Sequence, residues 1–127
     1  MRAWPLALAL LLIAPSGAFA ERSPAAGEEQ TGDATWYGPG FDGHRTANGE
    51  RFDASGISAA HAGYPLPSLV LVTNLANGRA ITVRVNDRPG RGGRQIIDLS
   101  RGAAEALDIV HIGRARVTVR YLGPAPP

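Results

Sequence analysis

The chain contains no cysteine and no lysine, and beyond Leu6 to Ala14 it has no long apolar run. The absence of cysteine excludes a disulfide framework and thiol chemistry, so an exported form must rely on packing and on closure of its sheet. The absence of lysine leaves arginine as every basic side chain, a bias that genomic base composition alone can produce. The net charge is only +2, too small and too scattered an excess for a general nucleic-acid binder. One basic stretch is dense, Arg84 to Arg94. Pro89, Gly90, Gly92 and Gly93 break it into a loop suited to an anionic or polyhydroxylated ligand. The three histidines, His44, His61 and His111, have neither close helical spacing nor cysteine partners, so they form no zinc-site pattern. No metal and no cofactor is implied.

What is present begins with a secretory signal at residues 1–20. Arg2 supplies the positive n-region, and Leu6 to Ala14 is an apolar run too short to span a bilayer. Ala18-Phe19-Ala20 is a small-x-small cleavage pattern, and Pro5, Pro15 and Gly17 argue against a buried N-terminal helix. Cleavage is expected after Ala20, leaving no membrane span. The remainder is one domain of about a hundred residues, enough for a single modest core.

Residues 21–31 mix Ser, Pro, Ala, Gly and Glu without apolar periodicity and are expected to be a flexible leader. The folded domain is expected over residues 32–122, with residues 123–127 as a tail. Ala34 and Trp36 alternate with Thr35 and Tyr37 in a short strand, and a Gly-rich loop follows to Phe52. Ile57 to Ala60 is a candidate short strand. Leu69 to Asn74 and Arg79 to Asn86 are strands joined through Asn77-Gly78, a pair that tolerates positive φ at both positions. In the second of these Ile81, Val83 and Val85 share one face, with Thr82 and Arg84 on the other. Gln95 to Leu99 is another strand, Ser100 caps a helix over Arg101 to Leu107, and Ala115 to Leu122 is the final strand. Short strands, one helix and Gly-rich connections suit a small closed barrel. Periodicity alone does not separate a double-psi barrel from an OB-fold.

Four landmarks make that choice: TANGERFD over Thr46 to Asp53, His61 after Ala59-Ala60, the VNDR run ending at Arg88, and IIDLS over Ile96 to Ser100. From about Gly32 to Tyr121 the pattern resembles the rare-lipoprotein-A family of septal-ring lytic transglycosylases, whose barrel is shared with expansins, barwin and some endoglucanases. The resemblance implies a mainly β fold, a six-stranded double-psi β-barrel with one short helix. Members are often lipoproteins attached through a Cys just after the signal. Here Glu21 stands there, so a soluble periplasmic or secreted protein without a lipid anchor is expected. Members often carry a C-terminal repeat domain as well, and none is expected here. They also commonly continue with Gly-Pro after Asn-Asp-Arg, whereas here Pro89 precedes Gly90.

A lytic transglycosylase protonates the glycosidic oxygen while the C6 hydroxyl of muramic acid attacks its own anomeric carbon, so one carboxyl can serve first as acid and then as base. Asp87, at a strand end, is either a turn former bonding nearby amides or that acid, and the match at Asn86-Asp87-Arg88 favours the acid. Asp98 points away from Ile97 and Leu99. It is either a structural residue at the helix start or, as in the expansin-like relatives, part of the polysaccharide site. If both Asp face one groove, repulsion raises one pKa. Glu50, otherwise a solvated loop residue, is by resemblance a site residue that orients substrate or acts as a second acid/base, with Arg51 a surface or ion-pair residue beside it. His61 is expected in the groove, hydrogen-bonding a sugar or a carboxylate. Trp36, Tyr37 and Tyr64 are stacking candidates, although alternation predicts that Trp36 and Tyr37 do not both line the groove. Asn48, Asn86, Arg88 and Arg91 are candidates for hydrogen bonds to hydroxyl, acetamido or lactyl groups.

The function implied is a periplasmic endolytic peptidoglycan lytic transglycosylase that prefers strands without stem peptides and leaves 1,6-anhydromuramic acid ends. Peptidoglycan glycan strands are the expected partner, and nucleic acid is not. The alternatives are a non-catalytic, expansin-like glycan-binding module and an inverting hydrolase using Asp87 and Asp98.

Overall fold

The computed structural model describes residues 24–127; the expected signal segment lies outside them. The elements run β1 (Glu29–Trp36), β2 (Ser58–Ala60), β3 (Ser68–Asn74), β4 (Ala80–Asp87), β5 (Ile97–Leu99), α1 (Arg101–Ala106) and β6 (Ala115–Pro124). They close into a barrel in the order β1-β5-β2-β4-β3-β6. Two of its pairs, β1 with β5 and β2 with β4, are parallel. Val70 and Val72, Val83 and Val85, Ile97 and Leu99, and Val117 and Val119 point inward at alternate strand positions and are buried. The sequence showed this period-two alternation in β4 and β6, where Thr82, Arg84, Thr118 and Arg120 turn outward.

The barrel recruits more of the chain than its apolar pattern announces. β1 starts at Glu29 rather than Gly32, because Glu29, Gln30 and Thr31 pair with Arg120, Val119 and Thr118. β6 likewise runs through Gly123 and Pro124, which face Leu69 and Ser68. The expected leader and tail therefore both lose residues to the sheet. Closure leaves no free edge, so polar residues are held by ladder hydrogen bonds even where they bury little. The β3–β4 connection is also longer than a two-residue hairpin. Leu75 to Arg79 separate the strands, and only Gly78 takes a positive φ, +78°, while Asn77 caps the Arg79 amide at 2.9 Å.

Ser100 caps α1 as expected. Its Oγ accepts from the Ala103 amide at 3.2 Å and donates to the Gly56 carbonyl at 2.7 Å, tying the helix to the loop before β2. Gly102 makes that contact possible, since a Cβ there would lie 2.5 Å from the carbonyl oxygens of Ser55 and Gly56. Ala103, Ala104, Leu107 and Ile109 then close the end of the core.

Candidate active site

β1 and β5 run parallel with Thr35 opposite Asp98. Ile97 and Leu99 face the core, so Asp98 faces outward, where the Thr35 hydroxyl donates to its Oδ1 at 2.9 Å. Asp87 reaches the same groove by a different device. The β2–β4 register shifts so that Ala59 opposes Val85 and Ala60 opposes Asp87, leaving Asn86 as an extra residue on β4. That bulge re-aims the strand end. The two aspartates, with Thr35, Trp36, Tyr37, Phe41, His44, Arg45 and Arg88, line a cavity of about 500 Å³.

Their environments differ. Asp87 Oδ1 accepts from the amides of Ala47 and Arg88, each at 2.8 Å, and Oδ2 accepts from the Tyr37 hydroxyl at 2.7 Å. Burial and the Asp87 hydrogen bond push Tyr37 far above the ordinary range of a phenol, so it stays a donor. Asp98 has the Thr35 hydroxyl on Oδ1, and its Oδ2 has no partner among the described residues. Burial raises its pKa above the ordinary carboxylate value; the Thr35 hydrogen bond opposes that rise, and the charge of Asp87 adds to it.

Glu50 does not line this cavity. Arg84 binds it through Nε at 3.2 Å and Nη2 at 2.5 Å, and Asn86 and Asn48 each donate to it at 2.9 Å. The Arg84 bonds, followed by those of the two Asn, hold Glu50 at about 2 against an opposing effect of burial. Asn48 and Asn86 thus serve Glu50. Glu50 in turn locks the turn that carries Ala47 to Asp87.

His61 also turns away from the groove. It is buried and stacked on Tyr64 at 3.9 Å. Its Nδ1 accepts from the amides of Gly63 and Tyr64 at 3.0 and 3.1 Å, which leaves Nε2 to donate to Gln30 Oε1 at 2.9 Å. Burial, then the Arg88 charge, lower its pKa to about 4, so the ring is neutral. Its link to the groove runs through the backbone, where the His61 amide donates to the Asp87 carbonyl at 3.0 Å. Gln30, in the stretch expected to be leader, is the residue that fixes the ring.

The aromatic expectations split in the same way. Tyr64 is no sugar platform: it is 3% exposed, packs on Tyr121, and its hydroxyl is the one buried side-chain polar atom without a partner among the described residues. Trp36 and Tyr37 both line the groove, contrary to the alternation argument. β1 ends at Trp36, so the period-two rule no longer governs Tyr37, which stacks on Phe52 at 4.5 Å. Both also line a neighbouring apolar cleft of about 480 Å³ with Phe41 and Phe52. Arg88 lines the groove but spends Nη1 on the carbonyls of His61 and Tyr64, at 2.9 and 2.7 Å. Arg91 is exposed on the following loop and does not line the cavity. Thr35, Phe41 and Arg45 were missed. Only the parallel β1–β5 pairing and the folding back of the loop bring them in, and neither leaves a local signal. Among the described residues no group of His, Asp or Glu could hold a metal ion.

This topology is that of a double-psi β-barrel. Among solved structures it is similar to Streptomyces papain inhibitor, with a TM-score of 0.65, 28% identity, and coverage of 80% of this chain and 99% of that one. It also shares the fold of a Clavibacter michiganensis expansin in complex with cellohexaose, with a TM-score of 0.62, 20% identity, and coverage of 79% and 54%. Residues 29–119 match the family described as lytic transglycolase, and the chain belongs to that family. The endolytic peptidoglycan transglycosylase RlpA of Campylobacter jejuni is 46% identical over 99 residues, covering 78% of this chain and 36% of the relative. That of Neisseria meningitidis serogroup A is 47% identical over 95 residues, covering 75% and 40%. A probable RlpA from Synechocystis is 54% identical over 89 residues, covering 69% and 27%. The chain spans well under half the length of these relatives.

Proposed function

We propose that this domain is a lytic transglycosylase that cleaves peptidoglycan glycan strands outside the cytoplasmic membrane, with Asp98 as the acid and base. The observation that carries this reading is the pairing of Asp98 with Asp87 in one groove, where burial and a neighbouring carboxylate favour the protonated form of Asp98. The names of the relatives supply the substrate class.

Asp98 gives its proton to the glycosidic oxygen as the bond to the muramic anomeric carbon breaks. The C6 hydroxyl of the same sugar attacks that carbon and passes its proton to the Asp98 carboxylate, which restores the acid. No water is consumed. Asp87, held by three donors, presents both oxygens as fixed acceptors and stabilises the positive charge that develops at the anomeric carbon. Although Asp87 stands first as acid on sequence grounds, both its oxygens are occupied, which suits it better to this electrostatic role. Glu50 and His61 act as positioning residues, Glu50 through the turn at Ala47 and His61 through the Asp87 backbone. The protein acts after export with cleavage at Ala20, and it prefers strands lacking stem peptides.

Digestion of sacculi and of peptide-free glycan, followed by mass spectrometry, tests the reading. The expected product carries 1,6-anhydromuramic acid ends. Reducing ends with one added water would indicate a hydrolase, and binding without product would leave a glycan-binding module.

A further inference from the structure

The loop before β2 places two like charges side by side. An isolated antiparallel bridge pairs Arg45 with Arg51, so their side chains project from the same face of the turn. Like charges directly opposite one another are destabilising in a sheet pair. Neither guanidinium has a carboxylate within ion-pair distance among the described residues, and Glu50 between them is committed to Arg84. Instead each leans on a loop carbonyl, Arg45 Nη1 on Gly49 at 2.7 Å and Arg51 Nη1 on Gly43 at 2.9 Å. The turn itself is stiff, tied by Thr46 to Glu50 at 2.7 Å and by Phe52 to His44 at 2.7 Å. Both cations are exposed, and Arg45 lines the groove that holds Asp87 and Asp98. Arg45 at the edge of a groove that also holds Asp87, Asp98 and Arg88, with Arg51 bridged beside it, is a pre-oriented cation with no carboxylate partner among the described residues and is suited to an anion.

We propose that Arg45, reinforced by Arg51, forms a carboxylate-binding site for the free lactyl group of muramic acid, and so selects glycan without stem peptides. This rests on the transglycosylase reading above. The chemistry is selective in one direction. An unsubstituted lactyl group is an anion that a guanidinium can grip with two hydrogen bonds, whereas attachment of a stem peptide turns the same carboxyl into a neutral amide. Arg88, the obvious arginine in the sequence motif, is less suited because it is engaged by two backbone carbonyls.

The test compares glycan oligomers with free lactyl carboxylates and the same oligomers converted to methyl amides. Two readouts are used: turnover by the wild-type protein, and calorimetric binding to Asp98→Asn, whose turnover is blocked. The wild type should prefer the free carboxylate by about tenfold in kcat/KM, and Asp98→Asn by a similar factor in Kd. That preference should shrink with added salt. Arg45→Gln with Arg51→Gln should bring both ratios close to one, and Arg45→Lys should restore part of them. A double variant that is folded and keeps the wild-type preference overturns the site and leaves the enzyme reading intact. If no anhydromuramic product forms but binding still discriminates through Arg45, the site stands and the enzyme reading falls. Equal binding of the two oligomers by Asp98→Asn overturns the proposal whatever the turnover.

Discussion

Glu50 and Asp98 are both carboxyl side chains placed by the same barrel, yet the structure treats them in opposite ways. Glu50 is surrounded by donors: Arg84 grips it at two points and two Asn amides complete its shell. Asp98 is half-buried beside another carboxylate, with one hydroxyl for company. The first arrangement holds a charge in place. The second makes a charge costly and a proton easy to keep, which is what an acid catalyst needs. The contrast is one of partners: both oxygens of Glu50 accept from neighbouring side chains, whereas Asp98 Oδ2 has no partner among the described residues.

Breaking the second region should have the largest effect. Asp98→Asn is expected to keep the fold, checked by thermal unfolding, and to lower anhydromuramic acid release by about 10²–10⁴-fold. In the wild type, turnover should fall as pH rises through the upward-shifted ionisation of Asp98, because only the protonated carboxyl can donate. If Asp98→Asn stays active while Asp87→Asn is dead, the acid is Asp87 and the two aspartates exchange roles.

His61→Ala comes next, as a loss of stability. Removing a buried ring with three hydrogen bonds and a stacked partner should cost about 2–3 kcal/mol in denaturant unfolding. The pH dependence follows from the lowered pKa. Between the ordinary value of 6.5 and the folded value of about 4, the unfolded chain takes up a proton that the folded His61 refuses. Stability should therefore decline as pH falls through that window, and the variant should lose that part of the slope.

Glu50→Gln sharpens the comparison from the structural side. It should cost about 1 kcal/mol at neutral pH, since the pair is partly exposed and screened. The contribution of Glu50 is present above its ordinary 4.5 and lost as pH falls towards about 2. Unfolding measured at pH 7 and at pH 3 should thus show a smaller difference between wild type and variant at the lower pH. Turnover should suffer less than in Asp98→Asn. The smallest effect is expected for Tyr37→Phe, which removes one donor from Asp87. A loss of roughly threefold to tenfold in kcat is expected, with folding unchanged.

Much of this was legible in the sequence. Alternation at Val83, Val85, Val117 and Val119 marks strands wherever one face is buried, because side-chain direction in a strand has a period of two. Ser100 as a cap and the short helix after it follow from local hydrogen-bond chemistry. The motif spacing brought Asp87 and Asp98 to attention, and with them the family. What local pattern could not supply was partnership. Glu50, Asn48 and Asn86 read as groove residues until Arg84, 34 positions away in the chain, is seen to claim Glu50. His61 read as a ligand contact until Gln30, 31 positions away, is seen to hold its ring. The strand through Glu29 to Thr31 has no apolar signal, because its place comes from ladder bonds to β6 rather than from burial. Sequence alone therefore determined the apolar strand segments, the helix cap and the family motifs, since these depend on neighbours along the chain. Only the closed barrel decided which carboxyl meets an arginine and which lies half-buried beside a second carboxylate, so that the pKa of Glu50 is lowered and that of Asp98 raised, since a pKa is set by the groups that surround it in space.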